Sequence, residues 1–402
     1  ILPVDTGGKI RSYNLARQLA RRHELTFLSY YDGAADANYE KELEREFPGA
    51  VAICTGAPMS GVLAQGAHYA QRLPLAAPYA VSKFTDRRVT QLVSQWTREE
   101  RFDVQVCDFL AASLNFAGPL TSPVVLFQHN VESALWARQA HYESNPLKRA
   151  VFALEASKMA RYERQAVQRF HHIIAVSDHD KALMSEMTDS ARITVVPTGV
   201  DLSHYREENA PVRTFDVEPL VLFLGSMDWE ANVDGVSWFC DSIWPRVRAA
   251  IPAARFRIVG RNPNAKIKAL ASDDIEVTGT VPSVVEHLRE AAVFVVPLRI
   301  GGGTRLKIFE AMATGRAVVS TRVGAEGLDV MHNEDVILED DPAPFADAVI
   351  AFLEDGAKRR RFEASAAATA ARFDWSQVVS QFEGALEAGI ASARQPPVAA
   401  AR

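Results

Sequence analysis

With 402 residues the chain is long enough for two or three domains. Hydrophobic residues make up 48% and charged residues 23%, an ordinary globular balance, and a net charge of -6 gives no general reason to expect a nucleic-acid partner. The three cysteines, Cys54, Cys107 and Cys240, lie far apart without zinc or CxxC spacing, which points to a reduced, cytosolic setting. No apolar run approaches the ~20 residues of a membrane-spanning helix, and no secretory leader pattern is visible.

The chain opens on "ILPVDTGGKIRSYNLARQLARRHELTFLSYY". "YNLARQLARR" has helical periodicity and "LTFLSYY" reads as the strand after it. A Gly-Gly turn, Gly7 and Gly8, should precede that helix and follow a strand. Only "ILP" stands there, so a strand of about 5–6 residues is expected ahead of Ile1. Further strands are expected at "VAIC", "VQVCDF", "VVLFQHN", "HIIAVS" and "RITVVPTG", with one long helical stretch over 132–170. Residues 206–219 are polar and proline-containing and read as a linker. A second series follows, with strands "LVLFLGS", "RFRIVG", "IEVTGT", "VFVVPL", "AVVST" and "VILE". Helices are expected between them, including 233–250 and 282–292, and then over 343–355, 357–372 and 376–390.

Strands alternating with amphipathic segments imply parallel sheets with crossover helices. The expected architecture is α/β, with two Rossmann-like doubly wound domains facing a central cleft. Residues 1–208 form the N-terminal, acceptor-side domain and 209–372 the C-terminal domain. Residues 373–392 form a helix that returns to the first domain, and 393–402 a disordered tail. Ligands of such sheets bind beyond the carboxyl ends of the strands, so the loops there carry the chemistry.

One loop stands out. "GGGTRLKIFEAMATG" follows the strand "VFVVPL". Gly301, Gly302 and Gly303 bring backbone N–H groups close to a ligand, Thr304 is a fitting N-cap, and Gly315 stops the helix. Leu306, Phe309 and Ala313 share the inward face, while Lys307, Glu310 and Thr314 share another stripe. Arg305 and Lys307 sit in a first turn, where each cation opposes the helix dipole by roughly 0.3–1 kcal/mol. A bound diphosphate reverses that sign, because a charge-assisted hydrogen bond contributes about 1.5–3 kcal/mol. The other reading is a surface helix with its basic chains in water. No GxGxxG or GxxxxGK[ST] occurs, which argues against a dinucleotide site or a P-loop.

The segment "GGGTRLKIFEAMATGRAVVSTRVGAEGL" resembles the donor-binding segment of retaining glycosyltransferases of family 4, which have the GT-B fold. "VVPTGVD", "FLGSMDWEANVDG", "VGRNP" and "DTGGKIRS" resemble other segments of that family in the same order. The resemblance implies nucleotide-sugar binding in the second domain and acceptor binding mostly in the first. It implies that Glu310, the second Glu of a paired motif, holds the ribose hydroxyls of the nucleotide. The first Glu of that pair is replaced by Gly302. The family's Arg and Lys after the first strand of the second domain are absent, Ser226 standing in that loop, so Arg305 and Lys307 are expected to supply the displaced charge. The donor site is expected to comprise Gly7, Gly8, Ser226, Gly302, Gly303, Thr304, Arg305, Lys307 and Glu310.

His129 ends the strand "VVLFQHN" and is expected to hydrogen-bond the donor's sugar or phosphate, a backbone-bonded structural His being the alternative. Glu132 is expected either to act there or to cap the next helix. Lys9 and Arg11 follow Gly7 and Gly8 as further first-turn cations. "SDHDK" at 177–181 reads as a helix N-cap and not a metal site, and Trp229 and Trp238 read as core, with a sugar-stacking role for Trp229 as the alternative. Segment 68–101 mixes basic and apolar residues; it reads as a solvated amphipathic helix pair, or as a peripheral contact with an acidic membrane or a lipid-linked acceptor.

The expected activity is metal-independent transfer of a sugar, with retention, from a nucleoside diphosphate to a saccharide or lipid-linked hydroxyl acceptor. It needs no cofactor beyond the nucleoside diphosphate sugar itself, and no nucleic acid. His129, Arg305 and Lys307 are the residues expected at the reacting centre, in a cytoplasmic protein of polysaccharide or glycolipid assembly. The rival readings are a sugar-nucleotide epimerase of similar architecture and a catalytically inactive nucleotide-sugar-binding relative.

Overall fold

The computed structural model describes residues 1–4, 6–56, 62–143, 145–205, 218–300 and 306–394, with backbone alone for 62–65. The chain forms two compact units. One contains Ile1–Pro197 with the C-terminal helix from Val378, and the other contains Thr198–Gln377.

The first unit carries strands β1 (Leu28–Tyr31), β2 (Val51–Cys54), β3 (Gln105–Asp108), β4 (Val124–Phe127), β5 (His172–Ala175) and β6 (Ile193–Val195). All pairings are parallel: β1 with β2, and β3-β4-β5-β6 in order. Every residue of β4 and β5 is buried, as expected for parallel strands covered on both faces. Between β1 and β3, which do not pair with each other, lies a cavity of about 400 Å³ lined by apolar side chains such as Leu15, Leu28, Val93 and Trp96. It is lined also by Ser12, Asp108 and Phe109, so this seam between two strand edges reaches the carboxyl end of β3.

Helix α1 (Gly7–Leu19) precedes β1 and buries Leu15, Ala16 and Leu19. Gly7 and Gly8 form its first turn, with Thr6 at the N-cap, and do not form a separate turn ahead of it. The single helix expected over 132–170 is two, α2 (Glu132–Tyr142) and α3 (Pro146–Arg169). Asn145 stops continuity by accepting from the N–H groups of Leu147 and Lys148, at 3.0 and 3.2 Å, and Pro146 occupies the first turn.

The second unit carries β7 (Leu220–Leu224), β8 (Arg255–Val259), β9 (Ile275–Gly279), β10 (Val293–Val296), β11 (Ala317–Ser320) and β12 (Ile337–Leu338). All pairings are parallel, in the order β12-β11-β10-β7-β8-β9. Numbered within the unit and read from β9, this is the doubly wound order 3-2-1-4-5-6, which reverses between β7 and β10. Its core holds Phe223, Phe239, Phe256, Phe294 and Phe309, all buried.

The helix expected over 233–250 begins earlier, as α4 (Glu230–Trp238), and passes through a π segment, Phe239–Ile243, before Trp244–Ala250. Pro245, lacking an N–H, cannot continue the ordinary ladder there. Helix α5 (Leu306–Ala313) follows β10, and Gly315 takes φ 66°, the left-handed conformation that ends a helix.

Residues 198–205 lie with the second unit, which places the division at Pro197, ahead of the expected 208. The Val200 N–H donates to the Phe373 carbonyl at 2.8 Å. A Cβ on Gly199 would stand 2.5 Å from the Trp375 ring, so only glycine fits. Helix α6 (Trp375–Arg394) contributes to the first unit from Val378 onward. There Phe382 packs edge-on to Phe127, and Glu383 bonds Arg22 and His23, each at 2.9 Å.

Candidate functional site

In the second unit the loops after β7 and β8 and the first turn of helix α5 meet at the point where the strand order reverses, the place where doubly wound sheets bind ligands. The loop after β7 is Gly225–Trp229. The loop after β8 starts at Gly260, and the two approach so closely that a Cβ on Gly260 would stand 1.7 Å from the Gly225 carbonyl oxygen. A Cβ on Gly225 would meet both Asn232 and the Lys307 ammonium at 2.9 Å or less. Glycine at both positions is thus what lets the two loops approach and the Asn232 and Lys307 side chains gather over them.

Helix α5 points Lys307 into this gathering. Its Nζ donates to Asn232 Oδ1 at 3.1 Å and lies 4.5 Å from the centre of the Phe223 ring, a cation over an aromatic face. Asn232, on α4, donates in turn to the Ser226 carbonyl at 2.7 Å. Arg261, directly after β8, donates from Nε to Ser226 Oγ at 2.9 Å and lies 3.9 Å from Asp228. Ser226 Oγ donates to Asp228, whose carboxyl is held below its ordinary range by Ser226 first and then by Asn262. Two cations from different elements, Lys307 on α5 and Arg261 after β8, therefore stand around the small Ser226.

Glu310 lies one turn beyond Lys307 on α5. Its carboxylate accepts from the Tyr205 hydroxyl. Burial raises its pKa, opposed by the Tyr205 hydrogen bond and then by the nearby Lys307 charge. One donor leaves further lone pairs on the carboxylate for other hydroxyls.

The first unit gathers a second cluster at the ends of β3 and β4. His129 is buried and stacks on Phe109 with ring centres 3.7 Å apart. Arg11, buried on α1, donates to His129 Nδ1 at 2.9 Å. An arginine only donates, so Nδ1 accepts, and Nε2 carries the hydrogen given to Asp108 Oδ1 at 2.7 Å. Burial lowers the His129 pKa, Asp108 raises it and Arg11 lowers it, for a net downward shift that keeps the ring neutral. Burial likewise lowers Arg11 to about 10, so it remains a cation at neutral pH. Ser12 Oγ donates to the second Asp108 oxygen at 2.5 Å. Gly8 is required here: a Cβ would stand 2.7 Å from Phe109 Cζ.

The second unit thus brings together Ser226, Lys307 and Glu310 among the expected residues, and the first unit brings together Gly8 and His129. Gly7 shares the first turn of α1 with Gly8. Gly302, Gly303, Thr304 and Arg305 lie outside the described residues. His129 has both ring nitrogens taken by Arg11 and Asp108. Glu132 caps nothing; Glu163 does so, accepting from the N–H groups of Glu132 and Ser133 at 2.8 and 3.0 Å. Burial, and then the Glu163 charge, push Glu132 up to about 7. Ser177 is the N-cap of its helix, accepting from the Asp180 N–H at 3.1 Å. Trp229 is 39% exposed and not core, because it stands at the N-cap of α4.

Sequence reasoning missed Arg261, Asn232, Tyr205 and Asp108. Arg261 and Asp108 both stand at the carboxyl end of a parallel strand, the one signal that was available for them.

Two family models match the chain in series: one described as Glycosyltransferase Family 4 over residues 6–204, the other as Glycosyl transferases group 1 over residues 218–355. A Klebsiella pneumoniae protein described as "Uncharacterized 44.6 kDa protein in cps region" is 28% identical over 155 residues, covering 36% of this chain and 40% of its own length. A phosphatidyl-myo-inositol mannosyltransferase of Mycobacterium tuberculosis is 30% identical over 223 residues, covering 52% of this chain and 57% of its own. The chain thus spans about half the length of the curated relatives it matches. A solved structure of Anabaena HepE in complex with UDP and glucose superposes with a TM-score of 0.65 over 95% of this chain and 96% of that one, at 15% identity. That likeness is one of fold: two Rossmann-like units in series, the GT-B class.

Proposed function

We propose that this chain, a glycosyltransferase by both of its matched domains, moves a sugar from a nucleoside diphosphate to a hydroxyl acceptor with retention of configuration and without a metal. The observation that carries the reading is the placement of Lys307 and Glu310 one turn apart at the strand-order reversal, beside Ser226 and Arg261. Glu310 takes the ribose hydroxyls. The diphosphate lies against the loop after β7, with Lys307 and Arg261 around it. As the anomeric bond breaks, negative charge builds on the leaving diphosphate, and these fixed cations stabilise it. Loss of one such preorganised donor costs about 2.7–4 kcal/mol of barrier lowering. The acceptor hydroxyl attacks from the face the diphosphate leaves and passes its proton to the departing phosphate oxygen. His129 enters as a positioning residue: it fixes Asp108, whose side chain is 32% exposed.

The relatives support the class of product. One name places a relative in a cps region and another describes a mannosyltransferase acting on phosphatidyl-myo-inositol. The acceptor is accordingly a saccharide or lipid-linked hydroxyl of polysaccharide or glycolipid assembly. The HepE complex makes UDP the first donor nucleotide to test.

Thermal unfolding in the presence of UDP, GDP, ADP and CDP, each with and without EDTA, tests the reading. One diphosphate should raise the midpoint as concentration rises, equally with and without chelator. No shift with any of them would overturn the donor assignment. Incubation with the matching sugar nucleotide alone separates transfer from epimerisation, since an epimerase yields an isomeric sugar without an acceptor, whereas a transferase at most hydrolyses its donor.

A further inference from the structure

Three successive residues leaving β10 each meet another element of the second unit. The Pro297 carbonyl lies against α4, where a Cβ on Gly235 would stand 2.6 Å from its oxygen. The Leu298 carbonyl accepts from the Thr321 hydroxyl. Arg299 makes a two-pronged ion pair with Asp234 of α4, Nε to Oδ2 at 3.0 Å and Nη2 to Oδ1 at 2.5 Å. One turn further along α4, the Trp238 ring centre lies 5.5 Å from the Arg299 guanidinium carbon.

The same helix holds the start of α5. Lys307, the second residue of α5, donates to Asn232 of α4. Asn232 is buried, and its carboxamide is used at both ends, the oxygen by Lys307 and the nitrogen on the Ser226 carbonyl. Asp234, Trp238, Gly235 and Asn232 follow one another around about half the circumference of α4. The chain leaving β10 and the chain entering α5 therefore both rest on α4. Stability alone gives no reason for the Arg299 pair. Its side chains are 47% and 26% exposed, and an exposed ion pair contributes little to folding.

We infer that α4 is a brace for the donor diphosphate, with Asp234, through Arg299, and Asn232, through Lys307, as positioning residues that fix where the first turn of α5 meets the loop after β7. The inference rests on the donor site proposed above and adds to it residues that do not touch the ligand. Two flanks tied to one helix keep Lys307 in register with Ser226. A cation held in place beforehand gives up less freedom when it binds an anion.

The sign of one substitution separates a brace from a simple charge effect. Asp234→Asn removes a negative charge, which by Coulomb attraction alone strengthens the binding of an anion. A brace predicts the reverse. The full chain is titrated calorimetrically with UDP, GDP, ADP and CDP and with the corresponding nucleosides. Asp234→Asn should weaken the diphosphate that binds by about 10-fold, with nucleoside affinity and the unfolding midpoint unchanged. Arg299→Gln should act alike, and the double change should weaken binding no more than either alone, since both break one contact. Asn232→Ala should weaken the diphosphate at least as much without altering any charge. Unchanged or tighter diphosphate binding by Asp234→Asn, or single effects that cancel in the double change, would overturn the inference. So would an equal loss of nucleoside affinity, because the whole site would then have been disturbed. If the unaltered chain binds none of the four diphosphates, the donor reading fails and the inference falls with it.

Discussion

The two polar clusters at strand ends differ in how they hold their cations. In the first unit Arg11 is buried and spent on His129, a ring sealed between Phe109 and Asp108. In the second, Lys307 donates to Asn232 Oδ1 and lies over the Phe223 ring, and Arg261 donates to Ser226 Oγ with Asp228 3.9 Å away. A cation on a buried imidazole fixes a tautomer. A hydrogen bond from a cation to an amide or hydroxyl oxygen can be exchanged for one to a phosphate oxygen, which is the stronger acceptor. The difference fits a rigid first cluster and the reception of charge proposed for the second.

The largest expected effect falls on the packing that makes the second cluster possible. Gly260→Ala should destabilise the chain by roughly 3 kcal/mol or more, since the new Cβ meets backbone and not a movable side chain. Denaturant unfolding measures it, and a loss below about 1 kcal/mol would mean that the two loops do not need their close approach.

The next effect concerns Glu132, beside the first cluster. Its folded value of about 7 exceeds the ordinary 4.5. Between these values the folded state keeps a proton that the unfolded chain has released, so stability falls as pH rises from about 4.5 to about 7. Glu132→Gln should therefore stabilise the chain by about 1–3 kcal/mol at pH 8 and leave it unchanged near pH 4. Stabilisation of the same size at both pH values would show that no titration is involved.

A smaller and more pointed pair of changes tests the tautomer. Asp108→Asn should move the His129 titration further down and Arg11→Met should move it up, since the two charges act on it in opposite senses. Each change should cost about 1–3 kcal/mol of stability. NMR titration of the His129 ring protons reads the directions, and movement in the same direction would break the assigned hydrogen-bond chain.

Much of this arrangement was legible in the sequence where local pattern decides. The runs "VVLF", "HIIA" and "LVLFL" are buried strands, and Gly315 ends its helix because a left-handed residue is needed there. The stripe of Lys307 and Glu310 followed from helical spacing alone. What was not legible depends on chain segments meeting in space. Arg261 reaches Ser226 across 35 residues and Ser12 reaches Asp108 across 96. Glu163 caps α2 from 31 residues away, displacing the local candidate Glu132. The break at Asn145-Pro146 was a local signal, overridden in reading by the apolar periodicity on both sides of it.

The account turns on Lys307 receiving the diphosphate. Calorimetric titration of the wild-type chain and of Lys307→Met, each with the nucleoside diphosphate found by thermal unfolding and with the matching nucleoside, measures this directly. The account predicts that the substitution weakens the diphosphate by about 10- to 100-fold, while weak binding of the nucleoside, which Glu310 holds, stays the same. Equal diphosphate affinity in both proteins would contradict it.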